Sequence, residues 1–282
     1  MRSFPALATL LSLLGTTLLS ACGGGATSGL QPPPPEGPTT LSADNMLDAT
    51  GVAYVADNQS YYDYEVLMQS LDSLRTLLKA SGSAACPGGG SVTLDWQGEV
   101  WRYTAQNCKL PLLTLGSGSI SIDSSQRASA GSKLSLKDLV LPGFYADAPQ
   151  LVYNAQYQIE LPIADVEGKS LSGAMSVSNG AATRYYENIT HSRRPADASY
   201  QRRELNIRSP RFPYPLKLTV IETAQSNGRS FVVSAEDGST LTVTELGTSR
   251  QLELRSAKSV VPLAIRTISA AELAAARSRA RQ

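Results

Sequence analysis

Residues 151–161, LVYNAQYQIEL, alternate without a break. Leu151, Tyr153, Ala155, Tyr157, Ile159 and Leu161 fall on one side of an extended chain, and Val152, Asn154, Gln156, Gln158 and Glu160 on the other. Successive side chains of a strand point to opposite faces, so this stretch predicts a strand with one dry and one wet side. Such a strand belongs in an antiparallel sheet that rests one face on a core and shows the other to solvent.

The same period of two recurs on both sides of it. It is present at Val92-Leu94-Trp96, Ile120-Ile122, Leu134-Leu136, Leu216-Leu218-Val220, Phe231-Val233-Ala235, Leu241-Val243 and Leu252-Leu254. Turn pairs separate these runs: Asn179-Gly180, Asn227-Gly228, Asp237-Gly238 and the glycine Gly247. Asp-Gly between two alternating runs is a strong hairpin signal, so residues 216–265 predict consecutive strands joined by short turns. Residues 91–265 predict about ten or eleven strands, and a sheet that wide must curl, split or be covered. The wet faces are too polar for a membrane-spanning barrel, which needs an apolar outer band.

Helical patterns flank the strands. Leu41 to Asp57 carries Met46, Leu47, Val52 and Val55, interrupted by Gly51. Ser60-Tyr61-Tyr62-Asp63 resembles a capping box, and Tyr64, Leu67, Leu71, Leu74 and Leu78 then recur at helical spacing up to a stop near Gly82. That stripe is expected to pack on the chain's own sheet, although a partner helix would also fit it. Ser269 and Glu272 form a second capping box before an alanine-rich helix at 269–281, with Arg277, Arg279 and Arg281 where the helix dipole favours cations. The expected fold is mainly β: a large curved antiparallel meander, an N-terminal helical segment (41–80) packed on its apolar face, and a short C-terminal helix. Residues 41–282 are read as a single β-rich domain.

Upstream of the domain the composition changes. Arg2 precedes an apolar stretch, Phe4 to Leu19, and then Leu19-Ser20-Ala21-Cys22. Charge, short apolar core and small residues at a cleavage point are the order of a secretory signal peptide, here 1–21. Leu-Ser-Ala-Cys resembles the lipobox of bacterial lipoproteins. That resemblance implies a diacylglyceryl group on the Cys22 sulfur, cleavage before Cys22 and acylation of the new amine. At about 0.8 kcal/mol per buried CH₂, several acyl chains would make the attachment effectively permanent. Gly23, where inner-membrane lipoproteins tend to carry aspartate, favours the outer membrane, with the leaflet face left open. Residues 22–40 are rich in Gly and Pro, with Pro32 to Pro35 consecutive, and read as an extended tether reaching up to roughly 50 Å.

Removing residues 1–21 takes one of the 25 basic residues and none of the 24 acids, leaving no formal net charge. Nothing in that balance points to nucleic acid. About 240 residues remain beyond the tether, enough for a sizeable core. With Cys22 lipidated, Cys86 and Cys108 are an even pair in an oxidising compartment. A disulfide is expected between them, with two buried thiols as the alternative. The bridge would close a loop of roughly 23 residues, worth about 3 kcal/mol by chain entropy.

Signals for chemistry are sparse. His191 is the single histidine, which excludes a multi-histidine zinc site; no cysteine cluster replaces it. No Gly-x-Ser-x-Gly elbow accompanies it, so His191 reads as an exposed strand-end residue rather than a triad base. Gly116-Ser117-Gly118-Ser119 leads into a strand, not a helix, which argues against a nucleotide loop. Paired carboxylates for glycoside hydrolysis leave no local signature. No cofactor, metal or catalytic residue is assigned. Six arginines lie between Arg193 and Arg211. A hairpin centred near Ala198 would set Arg193 against Arg203 and Arg194 against Arg202, and like charges directly opposite destabilise a strand pair. Either the register is shifted, or Asp197 and Glu204 compensate, or Arg193, Arg194, Arg202 and Arg203 hold an anion such as a phosphate.

Cys86-Pro87-Gly88-Gly89-Gly90-Ser91-Val92-Thr93-Leu94, with Cys108 and Gly118-Ser119-Ile120-Ser121-Ile122, resembles uncharacterised proteobacterial lipoproteins that share a Cys-Pro-x-Gly-Gly-Ser-Val-Thr stretch and a second cysteine about twenty residues on. The resemblance spans some forty residues and implies the disulfide and a β-rich domain, with no activity attached. The expectation is a membrane-anchored envelope protein, not an enzyme, that binds another envelope protein or an anionic lipid or supports assembly. A carrier of lipid or another hydrophobic ligand in a helix-covered open barrel is the alternative, and a hydrolase the third reading.

Overall fold

The computed structural model describes residues 39–127, 131–142, 150–160, 168–194, 197–223 and 229–282. Cys22, the signal segment, nearly all of the tether and the Asn227-Gly228 pair lie outside the described residues.

All the strands join one antiparallel sheet in sequence order, each pairing with the next. They are β1 (Gly82–Ala85), β2 (Ser91–Gln97), β3 (Val100–Lys109), β4 (Thr114–Asp123), β5 (Ser132–Leu141), β6 (Leu151–Ile159) and β7 (Gly168–Ser178). The second half has β8 (Thr183–Arg194), β9 (Asp197–Ser209), β10 (Phe212–Glu222), β11 (Ser230–Ser234), β12 (Thr240–Leu246), β13 (Ser249–Arg255) and β14 (Ala264–Ile268). The expected meander is therefore present, and it runs from Gly82 to Ile268, a little beyond the expected 91–265. Fourteen strands replace the ten or eleven expected; β1, β3, β7, β8, β9 and β14 carry none of the alternating runs quoted above. Asp237-Gly238 closes β11 to β12 as expected: the Ala235 N–H donates to the Ser239 carbonyl at 2.9 Å, and Gly238 takes φ +80°. β1 and β14 are the open edges; the sheet does not close on itself.

A flat sheet of fourteen strands would be about 60 Å wide at about 4.8 Å per strand. One continuous core nonetheless joins residues from β2 to β14 with both helical ends of the chain, so the sheet curls around what it covers. Bulges supply the bend. β5 shifts register between Leu136 and Leu139 at Asp138 (φ +49°), and β8 shifts between Glu187 and Thr190 at Asn188 (φ +52°). Each extra residue raises the local twist and reverses which alternate side chains face inward. In β8 the inward set changes from Arg184 and Tyr186 to Ile189 and His191.

A long helical rod lies in the hollow of the sheet. Its parts are α1 (Met46–Asp57), a π-helical turn (Asn58–Tyr62) and α2 (Asp63–Leu77). The expected break at Ser60 is absent. Ser60 is buried inside the π-turn, and Tyr62, at the head of α2, has helical angles and no side-chain cap. The preceding helix already satisfies those N–H groups, so the Ser60–Asp63 sequence has nothing to cap. The rod ends at Leu77, ahead of Gly82, which opens β1. Every residue from Ala49 to Asp57 is buried, since α1 is enclosed by the sheet on one side and by α3 (Ala270–Arg281) on the other. α2 is amphipathic and buries Leu67, Leu71 and Leu74.

The Ser269–Glu272 capping box of α3 forms as expected. The far end of α3 is held by Arg184, whose Nη1 donates to the Arg281 carbonyl at 2.8 Å, and by Asn179 Nδ2, which donates to the same carbonyl at 2.8 Å. Arg279 is bound to Asp48 of α1 at 2.8 Å. Close approach of α1 and α3 depends on Gly51: a Cβ there would lie 2.5 Å from the Ala276 carbonyl oxygen.

Candidate functional site

Among the described residues, buried charge gathers where α1 passes into the π-turn. Asp57, the last residue of α1, is fully buried and accepts from Arg203 of β9 at 2.6 Å (Nε) and 3.2 Å (Nη2). Arg203 Nη1 donates to Glu222 of β10 at 2.8 Å, and Arg229 Nη1 donates to Asp57 at 3.0 Å. The Arg203 guanidinium also stands 4.4 Å from the centre of the Tyr61 ring. Next to it, Glu245 accepts from the Tyr54 hydroxyl at 2.9 Å and pairs with Arg250 at 3.3 Å. Three carboxylates thus face three guanidiniums. Burial works against the Arg203 charge, but Asp57 and Glu222 more than reverse this and push it above the ordinary arginine value. Burial and the neighbouring Glu245 raise Tyr54 well above the usual phenol value. In a low-dielectric setting such a cluster is tolerable only when its members are mutually satisfied.

His191 lies directly across from Arg203 in the β8–β9 ladder. It is 3 % exposed, not the exposed strand-end residue expected, because the Asn188 bulge turns it inward. Its ring meets the edges of Tyr61 (5.1 Å) and Tyr64 (6.2 Å). Burial, then the Arg203 and Arg193 charges, lower its pKa to about 3. At neutral pH the imidazole is uncharged and far too weak a base for proton abstraction.

The observed pairings settle the like-charge conflict in the arginine-rich hairpin. Arg203 opposes His191, Arg202 opposes Ser192, Arg193 opposes Gln201 and Arg194 opposes Asp197. From His191 to Arg193 the ladder is displaced by two residues from a hairpin centred on Ala198, which keeps those residues on their faces and removes the Arg–Arg oppositions; a further register shift follows between Arg193 and Arg194. Arg193 binds Glu65 of α2 at 2.8 Å, Arg203 binds Asp57, and Arg202 binds Glu204 at 3.0 Å. These three do not converge on one anion: Arg193 and Arg203 face the rod, while Arg202 lies on the opposite side of the sheet. Of Arg194 only the backbone is described.

A third group of polar residues lies under the start of α2. The Tyr153 hydroxyl donates to Asp63 in a short hydrogen bond, and the Tyr186 hydroxyl donates to Gln59 at 2.6 Å. Burial lifts Asp63 to about 7, against the pull of Tyr153 and Arg281. The cavity here, lined by Asp63, Tyr64, Leu67, Tyr153, Tyr157 and Met175 among others, offers about 10 Å³, room for one water at most. On the outer face of the sheet an open polar groove of about 560 Å³ runs over Arg102, Ser119, Ser121, Ser135 and Lys137. Its floor is low because Gly118 (φ +97°) lies against Asp138, where a Cβ would come 2.2 Å from the carbonyl oxygen. Gly116-Ser117-Gly118-Ser119 is accordingly the interior of β4, and no helix follows it.

Cys86 and Cys108 are disulfide-bonded, with Cα atoms 5.4 Å apart, tying the end of β1 to β3. Among the described residues no group of three or more His, Cys, Asp or Glu could hold a metal, and no helix is long and apolar enough to cross a membrane. Comparison with protein-family models, with curated proteins and with solved structures finds no match.

Sequence reasoning did not pair Asp57, Glu222, Arg229 and Glu245. One signal was present: Arg203 shares its strand parity with Leu205 and Ile207, and a charge at an apolar-parity position calls for a buried partner. The partners lie 19 to 146 residues away, beyond any local pattern.

Proposed function

We propose that this chain is a lipid-anchored envelope protein that works by binding or assembling with another envelope component rather than by catalysis. Leu19-Ser20-Ala21-Cys22 and the Gly/Pro-rich tether support the anchor. The observation that carries the binding reading is that, among the described residues, the rod fills the hollow of the sheet. A lipid carrier needs an apolar cavity of several hundred Å³. Here the hollow of the sheet is occupied by the chain's own helices, the cavity under α2 has about 10 Å³, and the charges at the π-turn neutralise one another. What the fold leaves available is outside: the edges β1 and β14, the exposed apolar residues near β14, and the polar groove over β3–β5.

Native mass spectrometry of the membrane-released protein, with lipid extraction of the same sample, tests this. The expected mass is the chain from Cys22 with its covalent acyl groups and nothing else. A reproducible noncovalent lipid would replace this reading with the carrier. A chain without acyl groups on Cys22 would remove the anchor.

A further inference from the structure

Sheet topology places one end of the strands beside the point where the tether joins the domain. Thr39 Oγ1 donates to the Tyr214 carbonyl at 3.3 Å, and the Leu41 N–H donates to Ser239 Oγ at 3.1 Å. Ser239 belongs to the β11–β12 turn. Gly238 of that turn touches Ala257, as a Cβ there would be 2.7 Å from the Ala257 Cβ. Ala257 is the second residue of the β13–β14 connection, residues 256–263. This connection carries the most exposed large aliphatic side chains of the described residues: Val260 at 86 %, Val261 at 67 % and Leu263 at 61 %. Ile265, just inside β14, is 59 % exposed. The basic residue Lys258 is exposed beside them.

The loop is held in that presentation. Arg255 Nη1 donates to the Val260 carbonyl at 2.6 Å, the Leu263 N–H to the Leu254 carbonyl at 2.7 Å, and the Val261 N–H to Ser259 Oγ at 3.1 Å. A contiguous apolar tip held out to water by its own hydrogen bonds marks an interaction surface.

We infer that residues 260–263 dip into the lipid surface on which the chain is anchored, so that the β13–β14 loop is a second, weak membrane contact that orients the domain. The inference rests on the lipid-anchor reading above. The described residues begin at Thr39, at the same end of the domain as the loop, and only residues 23–38 separate Thr39 from Cys22, so an anchor on Cys22 keeps the loop at a high effective concentration over the lipid surface. At that concentration a contact too weak to hold a free protein is populated. Aliphatic side chains enter the acyl boundary while Lys258 stays among anionic headgroups, the arrangement of a peripheral membrane contact. With that end against the membrane, the β2–β3 hairpin, carrying Trp96 and Trp101, and the β12–β13 turn, carrying exposed Leu246, point away from it.

The test uses the lipidated full-length product reconstituted in phosphatidylcholine–phosphatidylglycerol vesicles, with Val260→Trp and, at the far end, Leu246→Trp. Flotation reports anchoring; brominated lipid and aqueous acrylamide report where each added indole lies. The expected result is that Val260→Trp emits to the blue of Leu246→Trp and loses at least half of its added fluorescence to brominated lipid, whereas Leu246→Trp is quenched by acrylamide only. If the protein floats but Val260→Trp is quenched by acrylamide and not by brominated lipid, the loop inference fails and the anchor stands. If Val260→Trp is shielded from both quenchers, the tip is covered by protein, as in β14 pairing with a second copy, and the inference fails in that direction. If the protein carries no lipid and does not float, both readings fall together.

Discussion

Asp57 and Arg203 are 146 residues apart and meet in a bidentate ion pair, Nε to Oδ1 at 2.6 Å, with both side chains at most 1 % exposed. The pair joins the end of α1 to the middle of the sheet and fixes where the rod lies along it. Removing one member leaves a charge buried without its counterpart, which costs about 3–5 kcal/mol. Asp57→Ala is expected to lose that much in urea unfolding, because Arg203 and Arg229 both lean on this carboxylate. Arg203→Met in the Asp57→Ala background should recover part of the loss, since a thioether fills the site without a charge. Strictly additive losses in the double-mutant cycle would show the two residues to be independent.

His191 offers a probe that needs no mutation, because the chain has one histidine. Its folded pKa is lowered to about 3 by burial and the adjacent guanidiniums, against about 6.5 when unfolded. Between those values the unfolded chain binds the extra proton. The stabilisation from a neutral buried imidazole is therefore complete above pH 6.5 and is lost as pH falls toward 3. Its NMR resonances should stay in the neutral position from pH 8 to about 4 in the folded protein and titrate near 6.5 in urea. A folded-state midpoint near 6.5 would place the ring in solvent and contradict its position under Tyr61.

Asp63 has the opposite sign. Burial raises its folded pKa to about 7, so between about 4 and 7 the unfolded chain is ionised and the folded one is protonated. Its contribution is greatest at low pH and declines as pH rises to 7. Asp63→Asn keeps an acceptor for the Tyr153 hydroxyl and removes the titration. The variant should gain on the native chain progressively from pH 4 to 7 and hold a constant lead above 7, read as urea midpoints. A difference independent of pH would mean that Asp63 is solvated.

Gly51→Ala tests the crossing of α1 and α3. In an isolated helix alanine is favoured over glycine by about 1 kcal/mol. Here its methyl group would meet the Ala276 carbonyl oxygen at 2.5 Å, so the helices must separate. A net loss of about 1–3 kcal/mol is expected, as for other overpacked contacts. Faster amide exchange should be confined to α3 and the Asn179–Arg184 region that holds its end. A stabilised variant would show that α3 is not tightly docked.

Much of the fold is legible in local pattern. The period of two in β6, β10, β12 and β13 reports the dry face directly, since a strand with one buried side has no other way to arrange its residues. The Ser269–Glu272 box and the Asp237-Gly238 hairpin are equally local, because each is a hydrogen-bonding problem solved within four or five residues. Ser60–Asp63 has the same signature as the real box and fails. Whether a serine caps a helix depends on whether the chain before it is already helical, and the apolar burial of α1 settles that.

The sequence by itself determined the class of structure, the direction of the meander and the placement of most of its core. These follow from side-chain alternation and turn chemistry, which act over a few residues. Only the tertiary structure decided which charges are buried together, which way His191 faces and whether the hollow of the sheet is open. One added residue at Asn188 reverses an entire face of β8, and no pattern around it announces the reversal. The Asp57–Arg203 pair exists because a sheet curled around a helix brings distant residues within hydrogen-bonding distance, and the low dielectric there makes the unpaired alternatives too costly.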